Sequence, residues 1–163
     1  MLDQEVFKAV LGRWASGVTL VTSSADGKIH GMTVSAFSSV SLDPPLVLVC
    51  ADKSSITNEL IEKSGIYAVH ILAKEQQALS NKFASKKDEH RRFEGINWST
   101  MVTGSPVLPD CLAVLDCTVV AGHDAGDHIV YVGRVEDATN LDVTPLLYSV
   151  SYTHLTLPTI LLV

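Results

Sequence analysis

The side chains best suited to chemistry fall in three groups. Met32 to Leu42 carries hydroxyls at Thr33, Ser35, Ser38, Ser39 and Ser41. Its alternation sets Met32, Val34, Ala36, Ser38, Val40 and Leu42 on one face and Thr33, Ser35, Phe37, Ser39 and Ser41 on the other, the period of a strand. The second group, Asp52-Lys53-Ser54-Ser55-Ile56-Thr57, combines one cation with three hydroxyls just before a predicted helix. Hydroxyls, helix N-terminal N–H groups and an ammonium together hold an anion such as a phosphate. The third group is His123, Asp127 and His128, around a turn. A hydroxyl-rich strand leading to a lysine-serine corner implies a pocket for a flat, polar-edged ligand that carries a phosphate. Each group also has a plainer reading: a strand facing water, an ordinary N-cap, a histidine satisfied within a turn. No Cys–His or carboxylate pair converges to indicate hydrolysis or glycoside cleavage.

The elements that must position these groups are legible in order. Val6, Phe7, Val10, Leu11 and Trp14 form one helical stripe over Asp3 to Trp14, with Asp3 as N-cap and Gly17 as the stop. Val18 to Thr22 is β-branched, and Asp26-Gly27 predicts a hairpin returning through Ile29 to Met32. Asp43-Pro44-Pro45 breaks the hydroxyl strand, because proline gives no N–H to a ladder. Leu46 to Cys50 is continuously apolar and predicts a strand buried on both faces. A helix over Thr57 to Lys63, capped by Ser54 or Ser55 and stopped at Ser64-Gly65, leads to a strand at Ile66 to Leu72. His70 in that strand is expected to be a satisfied structural histidine. Ala73 to Phe83 is helical, 84–94 a charged and mostly solvated loop or frayed helix, and 97–110 a long connection with Gly104, Pro106 and Pro109. Cys111 to Ala121, interrupted by Asp116, and His128 to Val135 form the last strand pair, and Val143 to Tyr148 closes the fold. Six or seven strands with two or three helices predict a mainly β chain, a β-barrel with flanking helices.

Composition narrows the partners. With 47% hydrophobic and 18% charged residues the chain is a folded domain with its own core. A net charge of −6 gives no general attraction to nucleic acid or an anionic membrane, so any anion site must be local. Cys50, Cys111 and Cys117 show no CxxC spacing, which argues against a disulfide framework or a metal site. The acidic start, Met1-Leu2-Asp3-Gln4-Glu5, with no apolar stretch behind it, leads us to expect no secretory leader, and no apolar run has the ~20 residues that span a bilayer. A cytoplasmic location is the expectation.

The run GMTVSAFSSVSLDPPLVLVCADKSS from Gly31 to Ser55 resembles the flavin reductase-like family of FMN-binding split barrels. So do GVTLVT at Gly17 to Thr22, the Gln77 to Ala84 helix and GSP at Gly104 to Pro106. Gly126-Asp127-His128, Val132-Gly133-Arg134-Val135 and the closing Pro145-Leu146-Leu147-Tyr148 complete the series, which spans about residues 5–148 in order. Residues 1–148 are therefore taken as the split-barrel domain. The tail, 149–163, reads SVSYTHLTLPTILLV and has none of the basic residues of the family's usual RGxY-like continuation. It is either a divergent terminus or foreign sequence, and what the family's basic segment contributes to the nicotinamide side does not carry over to it.

The resemblance implies NAD(P)H-dependent reduction of FMN, with FAD possible, by NADH or NADPH. Reduced flavin would pass to a partner monooxygenase, and the site would be built in a homodimer. Thr33, Val34, Ser35, Ala36 and Ser38 would then line the flavin ring, and Cys50 and Asp52 would adjoin it. Lys53, Ser54, Ser55 and Thr57 would hold the phosphate. Lys82 and Lys86 either reach that phosphate, or the adenosine half of a larger flavin, or are solvated. His123, Asp127, His128 and Tyr148 would form the nicotinamide side, with His128 orienting the carboxamide. A non-catalytic FMN carrier or sensor on the same barrel is the alternative. An oxidase of the pyridoxamine-phosphate type ranks last, since no basic cluster awaits a substrate phosphate.

Overall fold

The computed structural model describes residues 2–87 and 89–148; the tail at 149–163 lies outside the described residues. Helix α1 (Gln4–Leu11) is followed by β1 (Ser16–Gly17), β2 (Thr19–Ala25), β3 (Lys28–Val34), β4 (Phe37–Leu42) and β5 (Pro45–Asp52). Then come α2 (Ile56–Ser64), β6 (Ile66–Ile71), α3 (Gln77–Ala84), β7 (Ser99–Thr100) and β8 (Pro106–Val107). The long strands β9 (Ala113–Ala125) and β10 (His128–Asn140) and the short β11 (Leu147–Tyr148) complete the order. Seven strands form one antiparallel sheet in the order β3-β2-β6-β9-β10-β5-β4. Strands β3 and β4 are joined by two residues yet occupy opposite ends of that order. The sheet must therefore curl until its ends meet at Ser35-Ala36, which makes the split barrel.

Local chemistry explains several elements. Asp26 and Gly27 both have positive φ (52° and 75°), the mirror-image turn whose twist suits a two-residue hairpin. Ser55 caps α2 by accepting from the Asn58 N–H at 3.1 Å, and Gly65 ends it in the left-handed region. Strand β2 is buried on both faces because two cores meet on it. Val21, Val49, Tyr67, Val69 and Tyr131 fill one, while Leu20, Ala68, Leu72, Phe83 and Leu108 fill the other beneath α3. His70 is fully buried, on the same face of β6 as Ala68 of the second core. Its Nδ1–H donates to the Leu20 carbonyl (3.0 Å), and Nε2 accepts from the Leu108 N–H (3.0 Å). A carbonyl only accepts and an N–H only donates, so these partners fix a neutral tautomer. Burial accordingly lowers its pKa from 6.5 to about 4.

Five expectations are corrected. The alternating run 32–42 is two strands, because the chain leaves one sheet end for the other at Ser35-Ala36; Val40 and Leu42 face solvent. Strand β5 buries Val47, Val49 and Ala51 but only half-buries Leu46, Leu48 and Cys50, so it is one-sided. Helix α1 ends at Leu11, where Gly12 caps it, and not at Gly17. Its apolar stripe is at least half exposed throughout. The loop 84–94 is not simply solvated, since Arg92 within it is only 5% exposed. Asp116 does not interrupt β9: it is buried in the strand and accepts from the Thr103 N–H (2.7 Å) and hydroxyl (2.5 Å), tying down the loop before β8.

Candidate functional site

At the β3–β4 corner the structure opens a groove of about 470 Å³ lined by Val18, Thr33, Ser35, Ser80, Asn81, Ala84, Ser85 and Tyr148. Thr33 and Ser35 share the outward face of the β3 end, while Val34 points into the core. The Val34 carbonyl accepts from the Thr19 hydroxyl at 2.6 Å, and the Ala36 carbonyl accepts from the Cys50 N–H at 3.1 Å, which ties the corner to β5. Opposite stands α3. Ser80, Asn81, Ala84 and Ser85, spaced i, i+1, i+4, i+5, give it a small, polar face. This periodicity was available in the sequence and went unread there. The Thr33 hydroxyl donates to the Ser80 carbonyl (2.7 Å) across the two walls.

The Asp52–Ser55 corner, the candidate anion site, follows β5. Asp52 Oδ1 accepts both the Ser54 N–H and the Ser54 hydroxyl at 2.7 Å, and these bonds hold its pKa below the usual carboxylate value. The nearby His128 and Lys86 charges act in the same direction. Ser55 donates its hydroxyl to the Asp52 carbonyl (2.7 Å) while capping α2. Lys53 Nζ reaches Asp124 Oδ2 and the Gly126 carbonyl, both at 2.7 Å. Such an exposed pair is worth little, ~0–1 kcal/mol, so a phosphate dianion can compete for the ammonium. Lys82 donates to the Glu94 carbonyl (2.7 Å).

The remaining residues divide. His128 pairs in register with Asp52 on β5 and Ala125 on β9, so the hairpin tip flanks the anion corner. His123, opposite Val130, is a same-face neighbour of His128. Asp127 Oδ1 lies 2.7 Å from His128 Nδ1, a bond that lowers the Asp127 pKa. These three do not line the groove, whereas Tyr148, paired with Ser16 on β1, does. Ser38 sits beyond the corner with its hydroxyl on the Ser39 carbonyl (3.0 Å). Thr57 is completely buried, its hydroxyl 2.8 Å from His30 Nδ1, so it packs the core instead of joining Ser54 and Ser55 at the surface. Burial, and then the Arg92 charge, lower the His30 pKa.

A seven-stranded antiparallel sheet curled on itself, with a hydroxyl-lined groove between its seam and α3, defines the class: a split barrel with flanking helices. Comparison with known proteins narrows it. The flavin reductase like domain matches residues 11–154, and the chain belongs to that family. An NADH-dependent flavin reductase from a Rhodococcus species is 44% identical over 154 residues, covering 90% of this chain and 85% of the relative. The reductase subunit HsaB of a flavin-dependent monooxygenase from Rhodococcus jostii is 40% identical over 148 residues, covering 90% and 75%. The structure of flavin reductase PheA2 superposes with a TM-score of 0.84 at 37% identity, covering 96% of this chain and all of PheA2.

Proposed function

We propose that the groove and the Asp52–Ser55 corner seat a flavin, FMN in preference to FAD, and that the protein is an NAD(P)H:flavin oxidoreductase supplying reduced flavin to a flavin-dependent monooxygenase. The observation that carries this is a small-residue, hydroxyl-lined groove at the Ser35-Ala36 corner, which the Cys50 N–H ties to the end of β5, the strand that leads into the N-terminus of α2. Its volume falls in the range of ligand pockets, about 300–1,000 Å³. The donor set fits the group. Ser35 and Ala36 are small enough for a flat ring to lie near the backbone, and Thr33, Ser80 and Ser85 offer hydroxyls at a polar edge. Lys53, Ser54, Ser55 and the first N–H groups of α2 would hold the phosphate, Lys53 and Ser54 exchanging their bonds to Asp124 and Asp52 for it. Lys86 follows Ser85 and adds a second cation near Asp52.

A bound flavin supplies the redox chemistry, accepting hydride from a reduced nicotinamide. The protein's contribution is positioning, so no acid–base residue is required. Asp127 holds the His128 ring by Nδ1, leaving Nε2 to accept an N–H from a carboxamide. The hairpin tip 121–130 carries Asp124 and Asp127 and no Lys or Arg. Lys53, the cation bonded to that tip, would be taken by the flavin phosphate, which favours NADH over NADPH, whose extra phosphate asks for a further cation. Three free cysteines fit a reducing, cytoplasmic setting, and among the described residues no helix is long and apolar enough to cross a membrane.

Added FMN and NADH decide the activity. Flavin-dependent loss of nicotinamide absorbance supports the reductase; flavin fluorescence quenching without that loss indicates the carrier; neither response ends both readings. The Ser54→Ala/Ser55→Ala double variant should weaken FMN about tenfold or more and riboflavin little, since only FMN offers a phosphate. Losing the Ser55 cap also costs about 1 kcal/mol of stability. Equal weakening of both ligands would remove the corner from the site.

The homodimer is part of the proposal, and α1 supports it. Val6, Phe7, Val10 and Leu11 expose a continuous apolar face that a second copy would cover. Sedimentation of Val10→Glu should show monomer where the parent shows dimer; a parent that sediments as monomer rules the assembly out.

A further inference from the structure

We propose that Arg92 is a positioning residue for the groove: its guanidinium fixes the last turn of α3 against β3, and so sets how tightly the groove holds flavin. The inference rests on the flavin reading above. Arg92 is 5% exposed and forked between two backbone carbonyls. Nη1 donates to Gly31 on β3, and Nη2 donates to Ser85 in the wall of the groove, both at 2.7 Å. Gly31 lies two residues before Thr33, so the guanidinium joins the strand that forms one wall to the turn that forms the other.

The surrounding packing serves the same join. A Cβ at Gly31 would stand 3.0 Å from both Phe83 Cε1 and Thr22 Cγ2. The glycine thus lets Phe83 of α3 lie directly on the strand. Phe83 meets Phe93, the neighbour of Arg92, edge to face at 5.3 Å. Glu89, 3.8 Å from Nη2, partly balances the charge. Two acceptors on separate elements are satisfied by a planar fork with several fixed donors; a lysine ammonium on its flexible stem does not reproduce that geometry.

The test is Arg92→Lys, measured by FMN fluorescence titration, steady-state kinetics and thermal melting. A folded Arg92→Lys protein is expected to bind FMN about tenfold more weakly, with KM for FMN raised alike. Its kcat at saturating FMN and its KM for NADH should stay within about twofold of the parent, a split that general destabilisation does not produce. A folded variant with parental FMN affinity overturns the proposal and leaves the flavin reading intact. A parent that binds no FMN ends both. If Arg92→Lys does not fold, amide exchange in the parent decides. FMN must then protect 89–93 together with 31–35, and protection confined to 31–35 overturns the proposal.

Discussion

Gly133→Ala is expected to cost about 3 kcal/mol or more of folding stability, at or beyond the upper end of ordinary overpacking. Gly133 pairs with Val119 on β9 and Val47 on β5. A Cβ there would fall 2.6 Å from Tyr67 Cζ and 2.9 Å from Cε1, and onto the phenol oxygen. Neither side can yield cheaply. Tyr67 is fully buried in the barrel core among Val69, Cys117 and Tyr131, and Gly133 is held by ladders on both flanks. Interiors at crystal-like density absorb such an insertion only by shifting backbone or forcing rotamers. Urea denaturation at neutral pH measures the loss. Gly133→Ala/Tyr67→Leu should recover part of it, because the shorter side chain withdraws the ring; a single variant with the parental midpoint would refute the account. The cycle is informative because the two positions are in direct contact.

Acid should destabilise the protein by about 3 kcal/mol between neutral pH and pH ~4 through His70 alone. Unfolded, the imidazole titrates near 6.5; folded, near 4. Between those values the unfolded chain binds the additional proton, so the contribution is intact above about pH 7 and is lost as pH falls through this window. The cause is structural. The neutral ring is bonded at both nitrogens in a fully buried site, and protonation would set a second donor against the Leu108 N–H. His30, also depressed, acts in the same direction. Unfolding free energies measured from pH 7.5 to 4.5 give the slope. His70→Gln presents a donor and an acceptor without titrating, and should flatten the dependence even if it is less stable throughout. An unchanged slope in that variant would assign the acid sensitivity elsewhere.

Much of this architecture could be read from local chemistry. Asp26-Gly27 announced its hairpin because positive φ at both positions suits few residue pairs, and Ser55 and Gly65 bracketed α2 for equally local reasons. What escaped was set by distant partners. Nothing in Ser35-Ala36 signals a corner; no glycine or proline marks it, and the bend exists because β3 and β4 belong to opposite sheet ends. Arg92 sits in a run, KKDEHRRFE, that reads as solvated, while the Gly31 carbonyl that buries it is 61 residues away. Thr57 looked like one more hydroxyl at the anion corner until the helix turned it toward His30. Of the site, the hydroxyl strand end and the serine corner were legible, but the α3 wall lay hidden in an amphipathic pattern read only for its apolar side.

The seam at Ser35-Ala36 gives any occupant of the groove a mechanical role. A molecule seated there touches the strand that begins the sheet order and the helix laid across it, at the point where the curled sheet has its free margin. Occupancy should therefore act as a clasp, raising the melting temperature with the logarithm of ligand concentration above the dissociation constant. Departure of the product would loosen the same margin, so each turnover would open and refasten the barrel where it is least continuous.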